Sequence, residues 1–492
     1  MLVTLVACYF AVTICIGFYA ARRVKNSADY LVAGRSLPLY MNTATVFATW
    51  FGAELILAVS STFLKEGLQG VVGDPFGAAF CLIFVALFLA APYYRLKLMT
   101  VGDFYKRRYN RTVELASAAA ISISYLGWSS ANLVALGIVI HTVSGNAITL
   151  EQGIVLGAVI VGVYTLFGGM WSVAFTDLFQ TVIIVAGLIY IAWMLAGMAG
   201  GVDKVVATAQ ASDRLKFFPG ASLHDWLGFI AAFVTMALGS VAQQDVFQRV
   251  TSARTEKIAR QGTLLGGTLY LLMAFIPMFI AVSALLIDPA MVKQMLSNEN
   301  DFQQVLPTLI LQRTPLFAQV LFFGALLSAI LSTASGTLLA PTAVITENVI
   351  QPLWGHKLSD RKMLVLLRLI LIGFTCCVTL FALQSESSMY QMVQDAYKVT
   401  LVAAFTPLIF GMFWRRATPQ GALLSMVCGV VAWQYAEHFM SDALVPPQLV
   451  GLGSAIVGMI VGSLAPTLLG GQGHPEIVDQ ARQPEVADNP SA

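Results

Sequence analysis

Long apolar blocks dominate the sequence. They run for about 18 to 28 residues between short polar connections, and a helical block of that length spans the ~30 Å of hydrocarbon in a bilayer. Of the 492 residues 58% are hydrophobic and only 11% charged, against roughly 25% charged residues in an average soluble domain. Backbone groups in lipid must bond within the segment, and the blocks show little period-2 alternation. The sequence therefore predicts an all-α integral membrane protein.

The blocks number about thirteen. In chain order, the predicted transmembrane helices are residues 2–20, 39–63, 74–94, 113–141, 148–167, 175–199, 224–245, 262–287, 316–346, 364–384, 389–413, 420–439 and 446–469. The first block lacks the basic leader and small-residue cleavage site of a secretory signal, so we expect it to be retained. Twelve or fourteen helices is the alternative count, because block edges are the hardest feature to place.

Lys and Arg are distributed unevenly over the connections. With the N-terminus outside, 20 of them fall on the cytoplasmic side, tail included, and six on the opposite side. Cytoplasmic connections of membrane proteins carry such an excess. We therefore expect a multi-pass protein of the cell membrane (the inner membrane where there are two) with its C-terminus in the cytoplasm. The tail, residues 470–492, is polar and predicted to be disordered.

Two predicted helices are interrupted by a glycine with polar residues after it. The second contains Gly52 and Glu54, and the seventh contains Gly239 followed by a polar run ending at Asp245. A charge at membrane depth costs at least roughly 2.5 to 3.5 kcal/mol, so Glu54 must face protein or water, either to bind a ligand or as a structural hydrogen-bonding acid. Transporters place substrates and ions at such broken helices. Because the two interrupted helices are five apart, we expect an inverted repeat of five plus five helices, 2 to 6 and 7 to 11.

The ninth predicted helix carries a run of small and hydroxyl residues at 328–337. Hydroxyl oxygens without charge suit a monovalent cation held partly by backbone carbonyls. Close helix packing through small residues explains the same composition equally well. The residues alone leave both interpretations open.

Six motifs in this order resemble the sodium/solute symporter family, whose members have a LeuT-like inverted-repeat fold with additional helices. They are 29–35 (DYLVAGR), 48–52 (ATWFG), 164–169 (YTLFGG) leading into 175–177 (FTD), 244–249 (QDVFQR), 329–333 (AILST), and 413–416 (FWRR) with Gly421 and Ala422 behind it. The resemblance runs nearly end to end. It implies a first helix and loop at 1–38, repeats at 39–199 and 200–413, two additional helices at 414–469 and the tail.

The resemblance also implies a sodium site between the second and ninth predicted helices. Its ligands would be the carbonyl oxygens of Ala48, Phe51 and Ala329 and the hydroxyls of Ser332 and Thr333. Asp177, at the predicted start of the sixth helix, matches a family acid associated with sodium passage. Its alternative role is that of an N-cap acid.

Within the family, the stretch 48–52 (ATWFG) and the fourth-helix pattern 128–131 (WSSA) followed by 135–137 (ALG) are most similar to the choline-transporting branch. That branch encloses a quaternary ammonium with aromatic faces. Trp50 and Trp128 would form two walls, whereas Ala78 and Gln243 stand where other walls would be aromatic. Plain helix packing of the two tryptophans is the alternative. The complete set of expected solute-binding residues is Trp50, Gly52, Glu54, Leu55, Trp128, Gln243 and Gln244. Gln243 and Glu54 favour a solute with hydrogen-bonding groups, such as an amino acid or another small amine.

These observations predict a sodium-coupled secondary active symporter that imports a small polar organic solute by alternating access. We expect sodium as the coupling ion, no organic cofactor, no catalytic residues and no nucleic-acid partner, in a monomer or loose oligomer within the bilayer. The alternatives are a proton-coupled carrier of the same fold using Glu54, a transporter-like sensor, and a membrane enzyme. The five histidines are scattered, which does not favour an enzyme.

Overall fold

The computed structural model describes residues 2–297, 302–354, 358–385, 387–440, 443–466 and 473–483. The described chain is built of helices. They are α1 Leu2–Ala21, α2 Ser27–Val32, α3 Leu39–Trp50, α4 Ser60–Gly70, α5 Ala78–Phe84, α6 Ala90–Leu96, α7 Val101–Arg108, α8 Arg111–Val143, α9 Leu150–Ala199, α10 Val202–Ala211, α11 Leu223–Gly239, α12 Gln244–Thr251, α13 Glu256–Ile287, α14 Pro289–Leu296, α15 Val305–Arg313, α16 Leu316–Val344, α17 Asp360–Gln384, α18 Met389–Thr400, α19 Thr406–Phe413, α20 Pro419–Phe439, α21 Pro447–Leu464 and α22 Glu476–Arg482.

Wider π-helical turns connect several of these helices into longer continuous helical segments. They lie at Glu54–Val59, Val72–Gly77, Val85–Leu89, Ile345–Ile350 and Leu401–Phe405. In the described chain, each of the thirteen predicted segments is mainly helical. Ten helical stretches of the described chain are long and apolar enough to cross a membrane, and the pair Leu39–Trp50 and Glu54–Gly70, bent by 53°, makes eleven if it is one span. The all-helical membrane architecture is thus confirmed.

The fifth and sixth predicted helices form one helical run, α9, kinked at Gly169. This residue has φ +49° and ψ −141°, and a Cβ atom there would lie 2.4 Å from the carbonyl oxygen of Tyr30. The chain can pass so close to α2 only because glycine has no side chain and tolerates positive φ. The predicted connection at 168–174 is therefore a kink inside a helix.

Both predicted interruptions are real breaks. After α3, Phe51 leaves the helical region with φ −80° and ψ 72°, and the amide of Gly52 bonds the carbonyl of Trp50 at 2.9 Å. After α11, a 3₁₀ turn at Ser240–Ala242 is followed by extended Gln243. Two broken helices at these positions are what a five-plus-five inverted repeat requires. The bounds of the two repeats, 39–199 and 200–413, stay a prediction.

The polar run after the second break does not enter a loop. It forms α12, all of whose residues are buried, including Arg249 at 1% exposure. The prediction that Arg249 is a cation of the cytoplasmic loop after the seventh helix is therefore wrong, because Arg249 lies in this buried helix. The helix has one apolar and one polar face, and both are covered because it lies against α3, α13 and α16.

The expectation of a disordered tail is wrong for residues 473–483. Helix α22 buries Ile477, Val478 and Ala481 against the rest of the chain. Arg95 donates to the carbonyl oxygens of Ala481 and Arg482 at 3.1 and 3.0 Å, which satisfies backbone groups at the end of the helix. Three apolar side chains in seven residues, at helical spacing, were the signal. The rest of the tail lies outside the described residues.

We expect Val478→Asp to release α22. Full burial of a valine stabilises by about 1.5 to 3 kcal/mol, and a carboxylate in its place cannot stay in apolar contact. Hydrogen exchange of residues 476–482, read by mass spectrometry, should become at least tenfold faster. Gln480→Asp adds the same charge at an exposed position of the same helix and serves as control. Equal exchange in the two variants would show that docking does not depend on this apolar face.

Candidate functional site

The break after α3 lies directly against α16. A Cβ atom on Gly52 would be 2.8 Å from the hydroxyl oxygen of Thr333, so the break and α16 approach each other as closely as a glycine allows. The Thr333 hydroxyl is buried and forms no hydrogen bond within the described chain. Buried hydroxyls are almost always bonded, so an oxygen left open beside a broken helix fits a site for a hard cation. The second and ninth predicted helices therefore meet where the resemblance implies a sodium site.

Asp177 belongs to the same cluster. The Ser332 hydroxyl donates to one of its carboxylate oxygens at 2.5 Å, and the other oxygen is buried without a hydrogen bond in the described chain. Asp177 lies inside α9, not at a helix start, so its alternative role as an N-cap acid is wrong. The cluster offers two open oxygens, those of Asp177 and Thr333, and the donor set suits Na⁺. Ala48, Phe51 and Ala329 are fully buried alongside.

Arg249 is a charged neighbour that the sequence analysis did not identify. Its Nε donates to the Thr49 hydroxyl at 3.0 Å, and its Nη1 donates to Gln248 Oε1 at 3.4 Å. It interacts electrostatically with both Asp177 and Asp245. A Cβ atom on Gly336 would lie 2.5 Å from Arg249 Nη2, so this glycine of α16 makes room for the guanidinium. The arginine thus ties α12 to α3 and α16.

Three aromatic rings meet beside the first break. The ring centroids of Trp50 and Trp128 are 5.9 Å apart, and Tyr397 of α18 stacks on Trp50 at 6.3 Å and tilts against Trp128 at 5.5 Å. The two tryptophans come together as the resemblance implies. Tyr397 supplies a third ring that no motif had indicated, because it comes from an amphipathic helix far away in the chain.

Asp245 anchors these rings. The indole Nε1 of Trp50 donates to Asp245 Oδ2 at 3.1 Å, and the Tyr125 hydroxyl donates to Asp245 Oδ1. Tyr125 in turn stacks on Trp128 with centroids 5.9 Å apart. The carboxylate at the start of α12 therefore fixes aromatic side chains from α3 and α8 in one arrangement.

Two glutamines after the second break have different partners. The Gln243 amide donates to the hydroxyls of Ser124 at 3.1 Å and Thr400 at 3.3 Å, which joins α8 and α18 beside the rings. The side-chain oxygen of Gln244 accepts from the amide of Val101, the first residue of α7, at 2.8 Å. Its side-chain oxygen is thus engaged within the protein, and its contact with solute stays a prediction.

Glu54, which is partly buried, interacts with the buried carboxyl of Asp74. The two lie close enough to interact electrostatically, and neither forms an ion pair with any residue that the structure describes. Asp74 accepts a hydrogen bond from the Tyr270 hydroxyl, whereas Oε1 of Glu54 is buried with no hydrogen bond. The side-chain nitrogen of Gln394 is likewise buried and open. The structure thus assembles an uncompensated acid pair with open polar groups.

The remaining expected residues are buried near these groups. Leu55 and Ala78 are at most 1% exposed, and Ala78 contributes no ring, as its side chain dictates. Glu54 and Asp74 also interact electrostatically with Tyr397, which connects the acid pair to the aromatic cluster. The sequence analysis missed Asp74. Its signal was a carboxylate, with a proline beside it, at the start of an apolar block.

The model of the sodium:solute symporter family matches residues 30–429. The high-affinity proline transporter PutP of Bacillus subtilis is 26% identical over 87% of this chain and 91% of that protein. The human high affinity choline transporter 1 is 24% identical over 86% of this chain and 74% of its own length.

Solved structures show the same fold. A Na⁺-coupled sialic acid symporter in a substrate-bound outward-open state aligns with a TM-score of 0.80, at 18% identity, over 96% of this chain and 98% of the other. MhsT in complex with L-phenylalanine aligns with a TM-score of 0.54 at 14% identity, over 87% and 98%. The LeuT-like fold is thereby confirmed. With a family match that covers most of its length, the chain belongs to the sodium:solute symporter family.

Proposed function

We propose that the protein is a sodium-coupled secondary active symporter that imports a small organic solute with a positively charged nitrogen. The observation that carries the sodium coupling is the contact between the two halves of the fold. Gly52 at the break packs on Thr333, Ser332 bonds Asp177, and open oxygens face the junction. The solved sialic acid symporter with this fold is Na⁺-coupled.

The acid pair supports the choice of solute. Glu54 and Asp74 place two carboxyls at membrane depth, and no cation among the described residues is paired with them, which is costly unless a cation or protons balance them. The rings of Trp50, Trp128 and Tyr397 lie beside the pair, and aromatic faces attract organic cations. Proline and choline, after which these two relatives are named, both carry a positive nitrogen. An amine is the solute chemistry that these groups fit best.

In the proposed cycle, the backbone oxygens at the break and the hydroxyls of Ser332 and Thr333 bind one sodium ion, and this shared ion holds α3 and α16 together. A bound sodium ion supplies the positive charge that makes this junction favourable. One sodium moving through about 100 mV releases about 2.3 kcal/mol, and a tenfold gradient adds about 1.4 kcal/mol. Together they can concentrate a neutral solute several hundredfold, and the membrane potential adds to this for a cation.

Proton coupling is the second candidate, and one observation favours it. An uncompensated acid pair can be balanced by protons as well as by an amine, and Glu54 has an open oxygen. Uptake into proteoliposomes with an imposed sodium gradient or an imposed proton gradient separates the two. We expect the sodium gradient alone to drive uptake. Uptake that follows the proton gradient and ignores sodium would replace our proposal by this second one.

Removing both hydroxyls, in Ser332→Ala with Thr333→Ala, should raise the sodium concentration for half-maximal uptake by about tenfold or more, equivalent to about 1.4 kcal/mol. The measurement is solute uptake against sodium concentration in proteoliposomes of matched protein content. Thr342→Ala is the control, because that hydroxyl bonds a carbonyl of its own helix, α16, at 2.7 Å. An unchanged sodium dependence in the double variant would refute the sodium site.

Gly52→Ala should block transport. The added methyl group would meet the Thr333 hydroxyl oxygen at 2.8 Å and its Cβ at 3.3 Å, closer than unbonded atoms pack, so α16 must move away from the break. We expect initial uptake to fall at least about tenfold, which corresponds to about 1.4 kcal/mol. Gly373→Ala is the matched control, since a Cβ atom there meets nothing within 4 Å. Normal uptake by the Gly52 variant would mean that transport does not depend on the close approach of the break to α16.

The acid pair is tested with Glu54→Gln and Asp74→Asn, which keep the shape and remove the charge. A thermal-shift screen of the purified protein against choline, amino acids, polyamines and small carboxylates, with and without sodium, first identifies the solute. We expect an amine to stabilise the protein, and each variant to bind it at least about tenfold more weakly. Asp203→Asn, an exposed carboxylate on α10, is the control. Stabilisation by an anionic or uncharged solute, undiminished in both variants, would contradict the amine proposal.

A further inference from the structure

A groove opens on the outer surface of the fold where α13 begins. It has a volume of about 600 Å³ and lies between the π-helical turn Val85–Leu89, which leads into α6, and the first turns of α13. Both belong to stretches long and apolar enough to span a membrane, Val72–Leu96 and Glu256–Ile287. The groove is therefore at the level where an apolar span gives way to a polar connection.

One face of α13 changes character along this groove. Lys257, Arg260, Gln261 and Leu264 line it, and their spacing of three, four and seven residues places them on the same side of the helix. From Lys257 to Leu264 the helix rises about 10 Å. Over that distance the lining passes from cationic to apolar. A phospholipid makes the same transition between its headgroup and its acyl chains.

The floor of the groove is apolar and open. Leu87 is 49% exposed and Leu264 is 36% exposed, on the two sides of the groove. Ala86, at the bottom, leaves room between them. Exposed apolar side chains at this depth contact lipid chains in a membrane-spanning protein.

The rim carries a net positive charge. Glu256 also lines the groove, but its carboxylate is held by Arg95 through two hydrogen bonds of 2.7 and 2.8 Å, which offsets its charge. Lys257 and Arg260 are exposed, and neither forms an ion pair with another residue that the structure describes. Two cations thus remain for an anionic group at the rim.

We propose that this groove binds an anionic phospholipid of the surrounding membrane. Lys257 and Arg260 contact its phosphate, and an acyl chain lies between Leu87 and Leu264. Arginine and lysine are the side chains that bind phosphate oxygens best. The expected excess of Lys and Arg on this side of the membrane places the lipid in the cytoplasmic leaflet.

The groove is mechanically connected to the functional site. A hydrogen bond beside the groove joins the two segments that form its walls. The Tyr94 hydroxyl of α6 donates to the carbonyl of Arg254, just before α13, at 2.8 Å. Tyr93 of α6 packs on Phe247 of α12 with ring centroids 4.9 Å apart. Helix α12 carries Asp245 and Arg249 of the site. A lipid that clamps α6 to α13 therefore stabilises the surroundings of α12.

The test uses the full-length protein in detergent and in nanodiscs. Phosphatidylglycerol and phosphatidylcholine with identical chains are compared by native mass spectrometry and by thermal shift, for the wild type and for Lys257→Gln with Arg260→Gln. We expect at least tenfold tighter retention of phosphatidylglycerol by the wild type, with a larger rise in melting temperature. The double variant should lose this preference. Lys204→Gln with Lys216→Gln, two exposed lysines away from the groove, is the control.

Three results would overturn the proposal. Equal retention of the two lipids would show that charge does not select the occupant. The same preference in the Lys257 and Arg260 double variant would place the lipid elsewhere. Stabilisation by millimolar inorganic phosphate alone, with no further gain from phosphatidylglycerol, would show that the groove binds an anion and not a lipid. Both readouts, lipid retention and melting temperature, are independent of transport, so they stand even if the proposed solute or coupling ion is wrong.

Discussion

A helix that stops inside a membrane leaves backbone carbonyl and amide groups without partners, and lipid cannot satisfy them. The rest of this structure is arranged around two such stops, after Trp50 and after Ala242. Small residues of α16 come close enough to cover the first, and the buried helix α12 covers the second. Carbonyl oxygens at such a break, together with the open side-chain oxygens of Thr333 and Asp177, are also the chemistry that a monovalent cation requires. A cation bound at the first break would therefore also satisfy backbone groups that the interrupted helix leaves without partners.

Charge balance is the second constraint. Glu54, Asp74, Asp177 and Asp245 lie in the interior, and the described residues near them include one guanidinium, that of Arg249, which acts on Asp177 and Asp245. These two carboxyls have a protein counter-charge, whereas Glu54 and Asp74 have none. A membrane protein tolerates such an imbalance only where ions, protons or ligands compensate it. The charges of Asp177 and Asp245 are thus balanced by the protein itself, whereas those of Glu54 and Asp74 depend on a transported ion, proton or solute.

Much of the fold could be predicted from the sequence because membrane helices are specified by local composition. The apolar blocks gave the helices, and a glycine followed by polar residues gave both breaks. Residues brought in by tertiary packing could not be found this way. Tyr397 looks like part of an amphipathic helix, and Arg249 follows the second break as a surface cation would, until α12 turns inward. The tail helix was overlooked since its apolar face is only two turns long, and a mainly polar composition outweighed it.

The docked tail has a practical consequence for handling the protein. Arg95 bridges Glu256 at the start of α13 and the final carbonyls of α22, and the amide of His474 bonds the carbonyl of Arg108. The short segment 473–483 thereby holds together three parts of the chain that are far apart in sequence. A fluorescent reporter or purification handle fused in place of residues 473–483 would detach that fastening while leaving every membrane helix intact. Such a fusion belongs downstream of Gln483, with the segment retained.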